Sequence, residues 1–288
     1  MKNSLLSLYF NRFSQFIIIM IPELSVQLYS IRNEGAFENT VRSLAEMGFT
    51  CVETAGFPST TIEKAARLFK DLGLKARSGH VPLPLGDKKN EVIENALLLE
   101  QEFLITGGPP EAKKNFDSFD NIRYVADLYQ EASLNLEPYG LSLGYHNHDW
   151  DLEKIGDQWR YQFFLKHAPQ NLIWEVDLFW VQKVGLNPVD FIHEMGERGK
   201  ILHFKDGILN FEGPTQKVKT QQALVDVVPG KPFLPAGTGD VDLKAASKAA
   251  IYAKYIVVEL DSFVGDMMEA IHESYLYFTT NGIARGGK

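Results

Sequence analysis

The chain has 288 residues, 45% of them hydrophobic and 23% charged, which is enough apolar material for the core of an ordinary soluble globular protein. A formal net charge of -8 and a pI near 5.4 argue against a nucleic-acid-binding surface, which needs a basic face. One cysteine, Cys51, excludes an internal disulfide and gives no support for an oxidising compartment, so the chain reads as cytoplasmic.

Residues 1–22 read as an N-terminal extension, with Met20 as an alternative start. Their basic beginning and short apolar runs faintly resemble a secretion signal, but Asn11, Arg12 and Gln15 interrupt them and no small-residue cleavage site follows. No later run is long and apolar enough to span a membrane.

From residue 23 onward β-rich runs alternate with amphipathic segments. Strands are predicted near 24–28, 50–54, 75–80, 102–106, 141–146, 171–177, 200–204 and 255–260. Helices are predicted over 36–47, 60–72, 91–100, 120–139, 158–167, 188–196, 242–253 and 264–280. In the first of these Phe37, Val41, Leu44 and Ala45 recur at three- and four-residue steps and Gly48 follows. Eight such units without a Pro/Gly/Ser-rich linker predict a single-domain (β/α)₈ TIM barrel over residues 23–288. The stretch 206–239 is too long for an ordinary connection and predicts a loop that covers the mouth or meets a partner, so a homodimer or homotetramer would suit it.

In a barrel of this kind the C-terminal strand ends form the active face. The polar residues that fall there are Gln27, Glu53, His80, His146 with Asn147 and His148, Asp177, His203 with Lys205 and Asp206, and Glu259 with Asp261. Residues two apart on a strand share a face, so His146 pairs with His148, Glu175 with Asp177, His203 with Lys205 and Glu259 with Asp261. The last four strands therefore each offer a His or carboxylate at one level, a mixed N/O set suited to one divalent metal ion. Mn²⁺ is favoured, and Zn²⁺, Co²⁺, Fe²⁺ or Mg²⁺ are alternatives. Buried unpaired, Asp177 and Glu259 would be costly, which also asks for a cation. Glu175 reads as a supporting residue, Lys205 and Asp206 either as partners of each other or as substrate contacts, and Trp150 as an apolar wall under a sugar ring. Nucleotide cradles (GxGxxG, GxxxxGK[ST]) and the GxSxG and HExxH motifs are absent.

The segments GYHNHDWDLE (144–153), WEVDLFWVQKVGLNP (174–188), ILHFKD (201–206), PAGTGDVDL (235–243) and VVELD (257–261) resemble, in order and spacing, the sugar phosphate isomerase/epimerase group of xylose isomerase-like barrels, in particular a branch with a YHNHD segment. The resemblance implies one divalent ion held by His146, Asp177, His203 and Glu259, with His148 as the alternative ligand on the fifth strand. Better-known ketose epimerases of the group place a glutamate where this chain has His146, so only Glu259 remains of their pair of acid/base carboxylates.

The expected activity is a metal-dependent sugar isomerase or epimerase of carbohydrate metabolism, moving a proton next to the carbonyl of a sugar or keto-sugar through a metal-stabilised enediolate. Glu259 is the candidate base, and His146, His148 or His80 would return or relay the proton. Glu53, Lys205, Gln27 and Trp150 are the candidate substrate contacts. A lyase or dehydratase on the same site is the alternative, on a cyclic polyol or 3-keto-glycoside. An abasic-site endonuclease of the same barrel type would need three zinc ions and a basic groove, which seven histidines and a net charge of -8 fit badly. A barrel that only binds a sugar is the non-enzymatic alternative. The expected partner is a small carbohydrate, with no nucleic acid and no membrane.

Overall fold

The computed structural model describes residues 21–107, 112–209, 211, 214–220 and 224–287, so the extension read over residues 1–22 lies almost wholly outside the described residues. Eight parallel strands close into a barrel: β1 (Glu23–Gln27), β2 (Cys51–Thr54), β3 (Lys75–His80), β4 (Phe103–Thr106), β5 (Ser142–His146), β6 (Ile173–Asp177), β7 (Ile201–His203) and β8 (Tyr255–Val258). Each pairs with the next in sequence, and β8 returns to β1 with Glu23 opposite Tyr255. All eight predicted strands are present, each shorter than or equal to its predicted range or shifted by one residue.

Side-chain alternation divides the sequence between two cores. Leu24, Val26, Val52, Leu104, Leu143, Tyr145, Trp174, Val176, Leu202, Ile256 and Val258 point outward and are buried against the helices. Their neighbours point into the barrel, where Cys51, Phe103, Ile105, Ile201, Tyr255 and Val257 form a dry plug toward its N-terminal end. Gly144 is required in that interior, because a Cβ there would collide with the Ile105 side chain. Above the plug the same faces turn polar, with Glu53, Ser78, Glu175 and His203 all buried.

The helices are punctuated as their sequences require. Thr61, Ser118, Asn187 and Asp266 accept backbone N–H groups at helix starts, and Gly48 (φ 113°) and Gly73 (φ 70°) end Phe37–Met47 and Ile62–Leu72 in the left-handed region. Two short helices among the described residues escaped the periodicity argument: Ala112–Asn115 is only 4 residues long, and Leu178–Lys183, of 6 residues, starts directly from β6 with no turn residue to announce it. Among the described residues no helix is long and apolar enough to cross a membrane.

The long segment after β7 is tied to the barrel at both ends. Gln216–Lys219 and Leu224–Val227 form an antiparallel hairpin, and Thr220 Oγ1 donates to Glu273 of the last helix at 3.1 Å. Asp206–Gly207 pairs with Phe233–Leu234, which sets the Phe233 ring against Phe179 and Trp180 at the rim. The fastening is Asp206, which does not pair with Lys205 as one reading of the sequence held. Its Oδ1 accepts from the amides of Gly207 and Val241 (2.8 and 3.2 Å), and its Oδ2 from those of Gly237 and Gly239 (2.8 and 3.0 Å). A buried carboxylate therefore fills the hollow of the GTGD turn. Asp206→Ala, which strands these amides, should lower unfolding free energy by about 3 kcal/mol, read as a drop in the urea midpoint.

Candidate active site

The candidate ligands are aimed by their own backbones. Asp177 ends β6 and caps the helix Leu178–Lys183: its Oδ1 accepts the amides of Phe179 (3.0 Å) and Trp180 (3.3 Å), which frees Oδ2 for the barrel axis. Asn147, one residue past β5, fixes the same corner from outside. Its Oδ1 accepts from the Asp177 amide (3.1 Å) and from Trp174 Nε1 (3.0 Å), and its Nδ2 donates to the Asp177 carbonyl (3.2 Å). The ladder then sets Asp177 opposite His203, and His203 opposite Val257 two residues before Glu259.

His146, Asp177, His203 and Glu259 each present one ligand atom within 4.8 Å of the others, and all four are buried. His148 is in neither of the two ligand groups found among the described residues; its ring stacks on Trp150, centroids 5.6 Å apart and planes at 15°. The second group shares two members with the first: His80, His146, Glu175 and His203. At its centre is Glu175 Oε2, 2.7 Å from His80 Nε2, 2.9 Å from His146 Nδ1 and 3.2 Å from His203 Nε2.

The quartet fits a divalent ion on three observations. Asp177 Oδ2 is buried without a hydrogen bond, although Lys205 Nζ lies 2.9 Å away, and His146 turns its Nε2 toward it at 3.9 Å. His203 has its Nε2 engaged by Glu53 Oε1 at 2.7 Å, so its Nδ1 faces the quartet. A carboxylate behind a ligating imidazole is the arrangement that fixes ring orientation and raises basicity in metal sites. Third, the site already draws in a cation: Lys205 Nζ lies 2.9 Å from Asp177, 2.8 Å from Glu259 and 3.1 Å from Asp261.

Electrostatics separates the three candidate proton carriers. Burial drives His146 well below the usual imidazole range and His148 down to about 4, so both are neutral near pH 7. Burial would lower His80 too, but Glu175 and then Glu53 outweigh it and raise it to about 10. A raised folded-state pKa contributes stability fully below the unfolded value of about 6.5, and that stability is lost as pH rises through about 10. In chelator-treated protein the urea midpoint should therefore fall from pH 6.5 to pH 10; a midpoint that holds or rises would contradict the charged His80. For Glu259, burial pushes the carboxyl up, but Lys205 and then His203 hold it well below the usual range. Asp177 is raised to about 6, burial outweighing the nearby Lys205.

A cavity of about 390 Å³ opens above this layer, lined by Tyr29, Ala55, His80, His146, His148, Lys205, Glu259 and Asp261. A larger cleft of about 740 Å³ lies on the outside of the barrel around the start of β3, lined by residues such as Arg67, Lys70 and Arg77, and includes none of the grouped ligands. The mouth cavity is therefore where the chemistry-bearing residues converge.

Of the four substrate contacts expected from sequence, the cavity includes Lys205 alone. Glu53 is fully buried beneath it, bonded to Gln27 Nε2 (2.7 Å), Ser78 and His203; Gln27 serves Glu53 and is itself enclosed. Trp150 stands behind His148 and packs edge-on against Phe116, supporting the wall without forming its surface. Tyr29 was not anticipated, because it lies in the turn Leu28–Ile31 beyond β1, where strand alternation no longer applies. The Arg32 guanidinium sits 3.7 Å over its ring and donates to the Asp261 carbonyl at 2.9 Å, which ties the β1 and β8 loops together.

No protein-family model matches the sequence, and no curated protein matches it. Solved structures do match the fold. A sugar phosphate isomerase/epimerase from Parabacteroides distasonis superposes with TM-score 0.70 at 18% identity, covering 92% of this chain and all of that one (100%). A probable 3-DHS dehydratase from Bacillus anthracis gives 0.63 at 14%, covering 90% and 99%. The IOLI protein, solved with a bound zinc atom, gives 0.61 at 14%, covering 91% and 98%. The chain thus has the barrel fold of the xylose isomerase-like proteins.

Proposed function

We propose that the protein is a divalent-metal-dependent enzyme that moves a proton beside the carbonyl of a small polyhydroxylated compound, a sugar or keto-sugar, as an isomerase or epimerase. The observation that carries this reading is the convergence of His146, Asp177, His203 and Glu259 within 4.8 Å on the floor of the mouth cavity. These four would hold the ion, with Mn²⁺ the favoured occupant; the similar barrel solved with zinc supports a metal there without fixing its identity. The bound ion supplies polarisation of the substrate carbonyl and its neighbouring hydroxyl. Glu259, ionised and lining the cavity, takes the proton from the carbon beside the carbonyl. His80, charged and reaching the cavity from the Glu175–Glu53 network, delivers a proton; neutral His148 accepts a hydrogen bond from a hydroxyl, while His146, neutral as well, gives its lone pair to the ion. The test is NMR of keto-sugars with Mn²⁺-loaded protein in deuterated water. Deuterium entering beside the carbonyl with the skeleton intact is the expected result, and absence of exchange across the panel with metal bound would remove the reading.

Elimination is a second reading, favoured by one feature: β5 offers His146 where a two-carboxylate epimerisation needs a glutamate. A lyase or dehydratase would keep Glu259 as base and expel a β-substituent with His80 as acid. A similar barrel described as a probable dehydratase is in keeping with this. The same spectra decide, because elimination loses water or an aglycone.

A further inference from the structure

The position of Lys205 has a consequence that rests on the metal reading. Lys205 follows His203 by two residues, so both side chains enter the barrel; it is 1% exposed, and the Trp180 and Phe233 rings lie 5.4 Å from its Nζ. Its ammonium is held by Asp177, Glu259 and Asp261 at 2.9, 2.8 and 3.1 Å. Two of those three carboxylates belong to the ligand quartet. An ion bound to Asp177 and Glu259 would therefore share their oxygens with an ammonium in direct contact, two cations competing for the same two anions in a buried space.

We infer that Lys205 is the resident cation of this site, and that a divalent ion enters by driving its ammonium off Asp177 and Glu259 onto Asp261 alone. Asp261 is placed for that role. Both its oxygens already lie 3.1 Å from Nζ, so the transfer needs only rotation of the end of the lysine chain. Its side chain is 29% exposed and lines the cavity, whereas Asp177 is enclosed, so the displaced ammonium moves toward the space a substrate would occupy. Arg32 pins the Asp261 backbone and keeps the receiving carboxylate in place. Metal entry thereby exposes a cationic hydrogen-bond donor to substrate oxygens, which makes metal binding precede substrate binding.

The experiment is calorimetric titration of chelator-stripped, full-length protein with MnCl₂, comparing wild type, Lys205→Met, Asp261→Asn and the double variant, with thermal melts with and without Mn²⁺. Lys205→Met removes the competitor and should tighten Mn²⁺ at least about tenfold, with a larger metal-induced rise in Tm than wild type shows. Asp261→Asn removes the receiving group and should weaken Mn²⁺ about fivefold or more, a penalty that falls below about twofold in the Lys205→Met background. A merely structural lysine would give weaker or unchanged binding on substitution, and that outcome overturns the inference; so does an Asp261→Asn penalty undiminished in the double variant. If the methionine variant does not fold, Lys205→Gln carries the same expectation. Failure of wild type to bind Mn²⁺, or any other divalent ion of the set, would remove the metal reading itself, whereas wild-type binding without tightening in the lysine variant removes this inference alone.

Discussion

Glu259→Gln should cut turnover on a true substrate by about a thousandfold or more while metal content measured on the same sample is retained. The amide keeps an oxygen for the ion, and Asp177, His203 and His146 keep their places. What is lost is the ability to take up a proton, together with the anion that holds His203 Nδ1 (2.7 Å) and Lys205 (2.8 Å). A rise in KM with kcat preserved would mean that Glu259 only positions substrate. Full activity with the metal in place would remove Glu259 from the chemistry.

Glu53→Ala should be the most damaging single change to stability. The carboxylate has no solvent access, and around it lie Gln27, Ser78, His203 Nε2 at 2.7 Å and His80 Nε2 at 3.3 Å. Burial by itself would raise its pKa, but His203 and then His80 hold it well below the usual range, so it is an anion between cations. Removing one partner of such a buried set costs about 3–5 kcal/mol, because the remaining charges are left without compensation. The loss appears as a lowered urea midpoint in chelator-treated protein. With the brace behind His203 gone, Mn²⁺ affinity should also fall about 10- to 100-fold. Glu53→Gln, which retains volume and one acceptor, should lie between, and an unchanged midpoint in the alanine variant would show that the network is not coupled as the distances indicate.

Much of the barrel was legible because strand alternation and helix punctuation are local. Leu24 and Val26 against Ser25 and Gln27, or Val176 against Glu175 and Asp177, announce which face meets helices and which meets the axis. The quartet was legible for the same reason, since adjacent strands in parallel register bring equivalent levels together. What sequence did not disclose depends on contacts made at long range. Asp206 finds three of its four amides 31 to 35 residues away through the fold of an irregular loop, so the local sequence offered only its neighbour Lys205 or a substrate as partner. Glu53 and Gln27 stand at strand ends like the quartet, yet the stagger of a closed barrel puts them at the depth of Ser78, one layer beneath the cavity floor. Trp150 belongs to a short turn whose orientation is set by Phe116 and His148 rather than by any periodic pattern.

The candidate ligands are contributed by β5 to β8, and Glu259 follows the stave that pairs back to β1. A growing polypeptide that has reached β7 holds three of the four donors but has neither the closing seam nor the last carboxylate. If an ion is held there as proposed, its capture is coupled to completion of the ring, and metal uptake during refolding would time the final closure event separately from the earlier acquisition of helix.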